Sequence, residues 1–360
     1  MRKNYIDNLR WAAVLLLIPY HTMMMYNNWG ESFYIWVDGL EVPSLAIGFL
    51  WPAFMPLLFV LAGISTKFAL EKRSPKEYLK ERVLRLFVPL VFGILLLIPV
   101  QTYFAERYHN GYTGGYFAQY ILFFTKETDL TGYHGGFSPG HLWFILYLFV
   151  ISLAAVGIIL LVKKTRLKIE ASKVPFAVIV SMFVVTSLMT PLLDIAGKSV
   201  TEYFTLFLLG YYLLSEDAVM EKLERNRWWL VGLFVVSEAC YVFLGITGLP
   251  VPWPLFDVLI RAIGWLTILV LLVFAKRRFN MSNKVTRYLS AASFPLYLFH
   301  QSALVAVAFY VVGFTDIPIV QGILIVVLTA ALSFAVYELF KRFAPTRFMF
   351  GIKYNKNKSK

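Results

Sequence analysis

The chain has 360 residues, of which 59% are hydrophobic and only 15% are charged. Soluble domains carry about 25% charged residues, so this composition, with a mean hydropathy of +0.67, excludes a soluble globular protein. The single cysteine excludes an intramolecular disulfide and a cysteine metal cluster.

The apolar residues come in continuous blocks of about 20, the length that crosses the hydrocarbon core of a bilayer. Transmembrane β-strands would instead alternate over about ten residues, so a barrel is excluded. The expected fold class is an all-α polytopic membrane protein with about ten transmembrane helices. The predicted segments are 7–28, 46–69, 84–104, 141–162, 174–194, 202–215, 228–246, 256–275, 292–313 and 318–341.

The connections between these segments alternate in charge. All but four of the 34 Lys and Arg residues lie in the N-terminus, in every second connection or in the C-terminal tail; the exceptions are Arg107, Lys126, Lys198 and Arg261. Because cytoplasmic loops are enriched in basic residues, both termini are predicted to be cytoplasmic. Topology thereby explains the net charge of +13, and no nucleic-acid partner is expected.

Residues 1–342 are expected to form one integral-membrane domain, and 343–360 a basic cytoplasmic tail that ends in KYNKNKSK and lies against anionic lipid. No small-x-small cleavage site follows VLLLIP, so the first segment is expected to be retained as a helix. The longest external connection, 105–140, contains an apolar stretch too short to span, which is predicted to be re-entrant or interfacial.

The first segment, IDNLRWAAVLLLIPYHTMMMY, carries Asp7, Arg10 and His21. At 100° per residue these side chains share one face of a helix, and His21 lies about 16 Å beyond Arg10, near the middle of the bilayer. Asp7 and Arg10 are spaced to form an ion pair at i,i+3, which fits an interfacial clamp as well as a functional site. An ionisable residue at mid-bilayer depth favours function for His21.

Arg82 and Arg85 enter the third segment from the cytoplasmic side, in KERVLRLF. Two guanidinium groups at i,i+3 form a suitable clamp for phosphate oxygens. Isolated arginines at this position would be ordinary cytoplasmic-side residues.

The ninth segment contains Tyr297 and His300, in AASFPLYLFHQSALV. Counted from residue 292, His300 falls in the cytoplasmic half of the membrane. A single buried histidine is also common as a helix-packing residue. Glu338, near the cytoplasmic end of the last segment, is a candidate partner for one of the cationic groups.

The fourth segment opens externally with GHLWFILYLF, after the glycine-rich YHGGFSPG. His141 and Trp143 are candidates to line an external pocket for a carbohydrate or amphiphile, although Trp143 also suits the aromatic belt at the membrane interface. Arg261 has Asp257 one turn away, which predicts a local ion pair.

These stretches, in this order, resemble acyltransferase family 3, bacterial membrane enzymes that O-acylate extracytoplasmic glycans and related molecules. The resemblance rests on Arg10 followed by His21, on FMPLLFVLAGI, on the Arg-x-x-Arg pair Arg82 and Arg85, and on HLWFI, LYLFH and the late Glu338. HLWF and the absence of a fused periplasmic hydrolase-like domain favour the branch with the glucan succinyltransferase-like proteins.

The resemblance implies a multi-pass enzyme of the bacterial cytoplasmic membrane that uses acyl-CoA, most simply acetyl-CoA, as donor and a glycan or other hydroxyl compound as acceptor, without a metal. Catalysis is assigned to His21 with Asp7. Donor binding is assigned to Arg10, Arg82, Arg85, His300 and Glu338. Acceptor binding is assigned to His141 and Trp143. Residues 1–342 then form the acyltransferase domain.

The alternative is a transporter or flippase without acyl chemistry, in which buried His, Arg and Asp would form a proton or substrate pathway. Transporters are commonly built from inverted repeats with broken helices. The sequence has neither an evident inverted repeat nor a matching pair of interrupted segments, which favours the enzyme.

Overall fold

The computed structural model describes residues 3–129, 131–165 and 170–353. Within these ranges the chain is almost entirely helical, with one antiparallel hairpin in which Asp194 lies opposite Ser199. The α-helices are α1 (Asn4–Met24), α2 (Glu41–Leu70), α3 (Pro75–Arg82), α4 (Val88–Leu96), α5 (Ile98–His109), α6 (Gln119–Thr125), α7 (Trp143–Lys164), α8 (Phe176–Val180), α9 (Phe183–Met189), α10 (Val200–Leu209), α11 (Asp217–Arg225), α12 (Arg227–Thr247), α13 (Trp253–Arg278), α14 (Lys284–Val312), α15 (Pro318–Phe340) and α16 (Ala344–Met349). The strands are β1 (Asp194–Ile195) and β2 (Lys198–Ser199), and two π-helical turns cover Val83–Phe87 and Gly210–Leu214.

Seven helical stretches of the described chain are long and apolar enough to cross a membrane. They are Glu41–Leu70, Pro75–His109, Gly140–Lys164, Arg227–Thr247, Trp253–Arg278, Lys284–Val312 and Pro318–Phe340. Two shorter apolar helical stretches, Phe176–Met189 and Val200–Leu214, and the more polar α1 coincide with the other three predicted segments. The all-α polytopic membrane fold is therefore confirmed, while the count of ten spans and the cytoplasmic termini stay predictions.

The chain divides into two compact units. The first comprises the residues up to Arg10, Leu50–Lys80 and Tyr147–Ser282. The second comprises Trp11–Phe49, Glu81–Leu146 and the chain from Asn283 onward.

Helices of the first unit approach each other closely at glycines. A β-carbon added to Gly63 of α2 would lie 2.0 Å from the carbonyl oxygen of Phe207, and one added to Gly210 would lie 2.3 Å from that of Val60. Such distances are impossible for a real side chain, so backbone packs directly on backbone. Small residues at helix contacts are typical of membrane proteins, where close packing replaces the hydrophobic effect between helices.

Three carboxylates of the first unit, those of Glu202, Asp257 and Glu224, are paired with cations. Arg261 lies 3.1 Å from Asp257, which confirms the predicted local ion pair, and it also lies 3.0 Å from the buried carboxylate of Glu202. Glu224 lies on α11, outside the apolar segments, and its carboxylate accepts a hydrogen bond from the Lys276 ammonium 3.1 Å away. This bond holds the pKa of the Glu224 carboxyl below its usual range. The charge of each of these three carboxylates is thus compensated by a neighbouring cation.

In the second unit α14 is the most enclosed helix, with 72% of its apolar stretch buried. It packs along α15, and its residues Leu304 and Val305 join a core that includes Met25 and Tyr34. The chain after α15 also contributes to this unit, because Phe350 stacks on Phe340 and is buried. Residues 354–360, the end of the predicted tail, lie outside the described residues, and the boundary at 342 stays a prediction.

Residues 105–140, predicted to be an external connection, are held together by a buried carboxylate. Glu106 of α5 pairs with Lys126 and accepts a hydrogen bond of 2.9 Å from the Asn110 amide. The apolar stretch of this connection forms α6, only seven residues long. Its length agrees with the prediction that the segment does not span.

Gly63→Ala is expected to destabilise the protein by about 1–3 kcal/mol, the usual cost of overpacking, because its β-carbon has no room beside Phe207. The measurement is the midpoint of thermal unfolding in detergent. Gly232→Ala is the matched control, since a β-carbon there meets no atom within 4 Å and alanine favours the helix. Equal midpoints for the two variants would contradict the backbone contact.

Candidate functional site: a cluster of three histidines

Three histidines from distant parts of the sequence meet in the second unit. The ring centroid of His300, on α14, lies 5.4 Å from that of His21, on α1, and 5.2 Å from that of His141. His141 belongs to a 3₁₀ turn, Gly140–Leu142, that leads into α7. Residues 21, 141 and 300, each singled out from the sequence, are therefore neighbours.

The sequence placed His141 on the external side and His300 in the cytoplasmic half of the membrane, and the 5.2 Å between their ring centroids contradicts that separation. α14 begins at Lys284 rather than at residue 292, so His300 lies about 24 Å along the helix at 1.5 Å per residue. The chain before α7 is buried at Ser138, Pro139 and Gly140, and it carries His141 into the cluster. Hydropathy shows neither the extra helical turns nor the inward path of a loop.

Both ring nitrogens of His141 are hydrogen-bonded. Nε2 lies 3.1 Å from the carbonyl oxygen of Leu298, and Nδ1 lies 3.2 Å from Nε2 of Gln101. A carbonyl only accepts, so Nε2 carries the proton and Nδ1 accepts from the Gln101 amide. Tyr297 also donates its hydroxyl to the His141 carbonyl. His141 is thus locked in one tautomer and one orientation.

Gln101 of α5 is the brace of this network, and it was not among the predicted site residues. It is fully buried, and its amide also donates to Ser302 Oγ at 2.9 Å, which in turn donates to the Leu97 carbonyl at 2.8 Å. Its Oε1 has no hydrogen-bond partner among the described residues. An amide in the middle of an apolar segment was the signal that could have identified it.

The other two histidines have unused nitrogens. His300 is 1% exposed, and its Nδ1 lies 2.8 Å from the Tyr297 carbonyl, so Nδ1 donates and Nε2 holds a lone pair. Within the described chain, neither His300 Nε2 nor His21 Nδ1 has a hydrogen-bond partner. His21 is partly exposed. A buried neutral imidazole with a free lone pair can act as a base or as a nucleophile.

Aromatic residues enclose His21. Phe33 lies nearly parallel to it, with ring centroids 6.0 Å apart, and Tyr20 meets it edge-on. Gly140, which precedes His141, has φ +49°, and a β-carbon there would lie 2.8 Å from the Tyr34 hydroxyl. Glycine is therefore required at the turn that brings His141 into the cluster.

The predicted arginine pair lies where α3 passes into the π-helical turn Val83–Phe87. Arg85 forms an ion pair of 3.0 Å with Glu81 one turn earlier. Arg82 and Arg85 belong to the same unit as the histidines. π-helical turns are frequent at functional sites, so the geometry is compatible with anion binding.

Asp7 and Arg10 form the expected i,i+3 ion pair, 2.9 Å long, and Arg10 also donates to Ser65 Oγ at 2.6 Å. Both residues belong to the first unit. Their assignment to catalysis and to donor binding stays a prediction.

Glu338 bonds to two residues on the same unit rather than to a histidine. Its carboxylate accepts a hydrogen bond from Tyr288 Oη at 2.8 Å and pairs with Lys341.

Trp143 begins α7, two residues after His141, and is partly exposed. Among the described residues, no group of three or more His, Cys, Asp or Glu side chains is arranged to hold a metal ion.

Comparisons with known proteins agree on one family. The model of the family described as "Acyltransferase domain", acyltransferase family 3, matches residues 3–338. Among curated proteins, the chain is 24% identical to glucans biosynthesis protein C of Salmonella paratyphi B and 23% identical to that of Salmonella typhi, each over 249 residues. The match covers 67% of this chain and 59% of each relative.

No solved structure matches the chain. The family model nevertheless covers nearly its whole length. The membrane-spanning helices and the order of the sequence motifs agree with that match. The protein therefore belongs to acyltransferase family 3.

Proposed function

We propose that the protein transfers an acetyl or other short acyl group from cytoplasmic acyl-CoA to a hydroxyl group of an extracytoplasmic glycan, with His21 as base or relay. Acyl transfer follows from the family. The observation that carries the role of His21 is its position as a partly exposed ring at the edge of a cluster in which His141 is fully bonded. A glycan acceptor is supported by the relatives named as glucans biosynthesis protein C.

The proposed step is an acyl transfer between sulfur and oxygen. His21 removes the proton of the acceptor hydroxyl, whose oxygen attacks the thioester carbonyl. A carbon–oxygen bond forms, the carbon–sulfur bond breaks, and the imidazolium returns the proton to the CoA thiolate. In a second route His21 attacks the carbonyl first, the carbon–sulfur bond breaks and CoA leaves as the thiolate. The acceptor hydroxyl then takes the acyl group from the ring, the carbon–nitrogen bond breaks, and the hydroxyl proton passes to the thiolate. Both routes need a neutral His21.

The donor would bind through its phosphates. Guanidinium groups bind phosphate oxygens in bidentate geometry, which supports Arg82 and Arg85 as the docking residues. The pantetheine arm is long and thin enough to carry a thioester from the cytoplasmic side toward mid-membrane. Glu338 completes the proposed donor side.

The acceptor would approach beside His141 and Trp143. Both His141 nitrogens are already bonded within the protein, so this residue would contribute ring surface and shape. The proposed location is the cytoplasmic membrane of a bacterium, because the donor and the acceptor are found on opposite sides of it.

Arg82→Ala/Arg85→Ala is expected to weaken acetyl-CoA binding by at least about 100-fold, since two charge-assisted hydrogen bonds of about 1.5–3 kcal/mol each are lost. The measurement is isothermal titration of the purified protein in detergent. Arg225→Ala removes an exposed arginine of α11 and should leave the affinity unchanged. An equal loss in this control would indicate a general effect of charge. A folded native sample that binds no acyl-CoA would overturn the donor and favour the transporter alternative.

His21→Ala is expected to keep acetyl-CoA binding and to lower transfer by about 10²–10⁴-fold, the usual contribution of a general base. Mass spectrometry of a β-glucan oligosaccharide incubated with acetyl-CoA and enzyme measures the transfer. His134→Ala, in the external connection and exposed, is the matched histidine control. Transfer that persists in folded His21→Ala protein would remove His21 from the mechanism.

A further inference from the structure

Two adjacent histidine rings each keep a buried nitrogen without a hydrogen-bond partner in the described chain, namely His21 Nδ1 and His300 Nε2. We propose that His300 is a positioning residue that accepts a hydrogen bond from the Nδ1–H group of His21. This proposal rests on the proposed function, in which His21 handles the proton, and it moves His300 from donor binding to the orientation of the base.

His300 is prepared to accept and cannot donate to His21. Its Nδ1–H is committed to the Tyr297 carbonyl at 2.8 Å, so Nε2 holds the lone pair. A buried acceptor without a donor is unfavourable, and the side chain is 1% exposed. A donor that reaches Nε2 would remove that cost.

The position of the His300 ring is fixed from its other side. His141 meets it nearly perpendicularly, at an interplanar angle of 86°. His141 is itself held by Leu298 and Gln101. The brace from Gln101 therefore limits the rotation of His300 and keeps it beside His21.

The spacing of the two rings suits an imidazole–imidazole hydrogen bond. Their centroids lie 5.4 Å apart and their planes are inclined by 28°. Two imidazoles joined edge to edge by a nitrogen–nitrogen hydrogen bond of about 3 Å have centroids about 5 Å apart.

The bond would set the chemical form of His21. With Nδ1–H donated to His300, Nε2 of His21 must hold the lone pair, which is the atom that a base or nucleophile uses. The same bond becomes charge-assisted once His21 has taken the proton. In the described chain no carboxylate bonds to either ring, so His300 takes the orienting role that an aspartate has in serine hydrolases.

The direct test is ¹⁵N NMR of histidine-labelled protein in nanodiscs, which is tractable because the chain has five histidines. The expected spectrum shows His21 protonated at Nδ1, with a coupling across the hydrogen bond to His300 Nε2. In His300→Phe the coupling should vanish and His21 should populate both tautomers. Native protein without the coupling, or with His21 protonated at Nε2, would overturn the proposal.

The kcat values and the acetyl-CoA Kd values of two His300 variants distinguish a positioning role of this residue from a packing role. His300→Phe keeps a flat ring but no acceptor, whereas His300→Gln keeps an acceptor oxygen. Partners that orient a histidine commonly contribute about 10- to 100-fold to activity. His300→Phe should therefore lower kcat by about that factor, while the Kd for acetyl-CoA changes less than about twofold. His300→Gln should recover most of kcat. Equal losses in both variants, or a loss of acetyl-CoA affinity, would overturn the proposal.

The two proposals fail differently. If the native protein shows the ¹⁵N coupling but binds no acyl-CoA, the proposed function is wrong and the histidine pair stands. If transfer depends on His21 but the coupling is absent, the proposed function stands and the pair is wrong. His300→Phe protein that does not fold leaves the native spectrum to decide.

Discussion

A carbonyl oxygen can accept a hydrogen bond but cannot donate one, and this asymmetry sets the polarity of the whole histidine cluster. The Leu298 carbonyl fixes the proton on His141 Nε2, and the Tyr297 carbonyl fixes the proton on His300 Nδ1. Because the surroundings exclude water, these bonds have no competitor. Backbone groups of one helix, α14, therefore decide which nitrogens remain available for chemistry.

The sequence predicted the helical segments well, because a bilayer demands about 20 apolar residues for each crossing. It also identified His21, His141 and His300, since ionisable residues within apolar runs are conspicuous. It could not predict that they meet. That depends on where α14 begins and on how the chain before α7 is packed, and neither leaves a hydropathy signal.

Pairings across long sequence distances were missed for a related reason. The bond from Asp7 to Arg10 follows from helical spacing, whereas that from Arg261 to Glu202 joins residues 59 positions apart. Gln101 was missed because its partners, His141 and Ser302, come from other helices. Contacts within one helix can be predicted from the spacing of residues in the sequence. Contacts between helices can be identified only once the packing of the helices is known.

The π-helical turn at Val83–Phe87 lies between the arginine pair's helix α3 and the apolar helix α4. A π-turn accommodates one residue more than an α-turn, which rotates everything after it by about 100° relative to an unbroken α-helix. The apolar residues of α4 can consequently pack against their own neighbours, and their orientation does not determine the orientation of Arg82 and Arg85. Deletion of a single residue within the turn would restore the regular register and force the guanidinium pair and the apolar face to compete for one orientation.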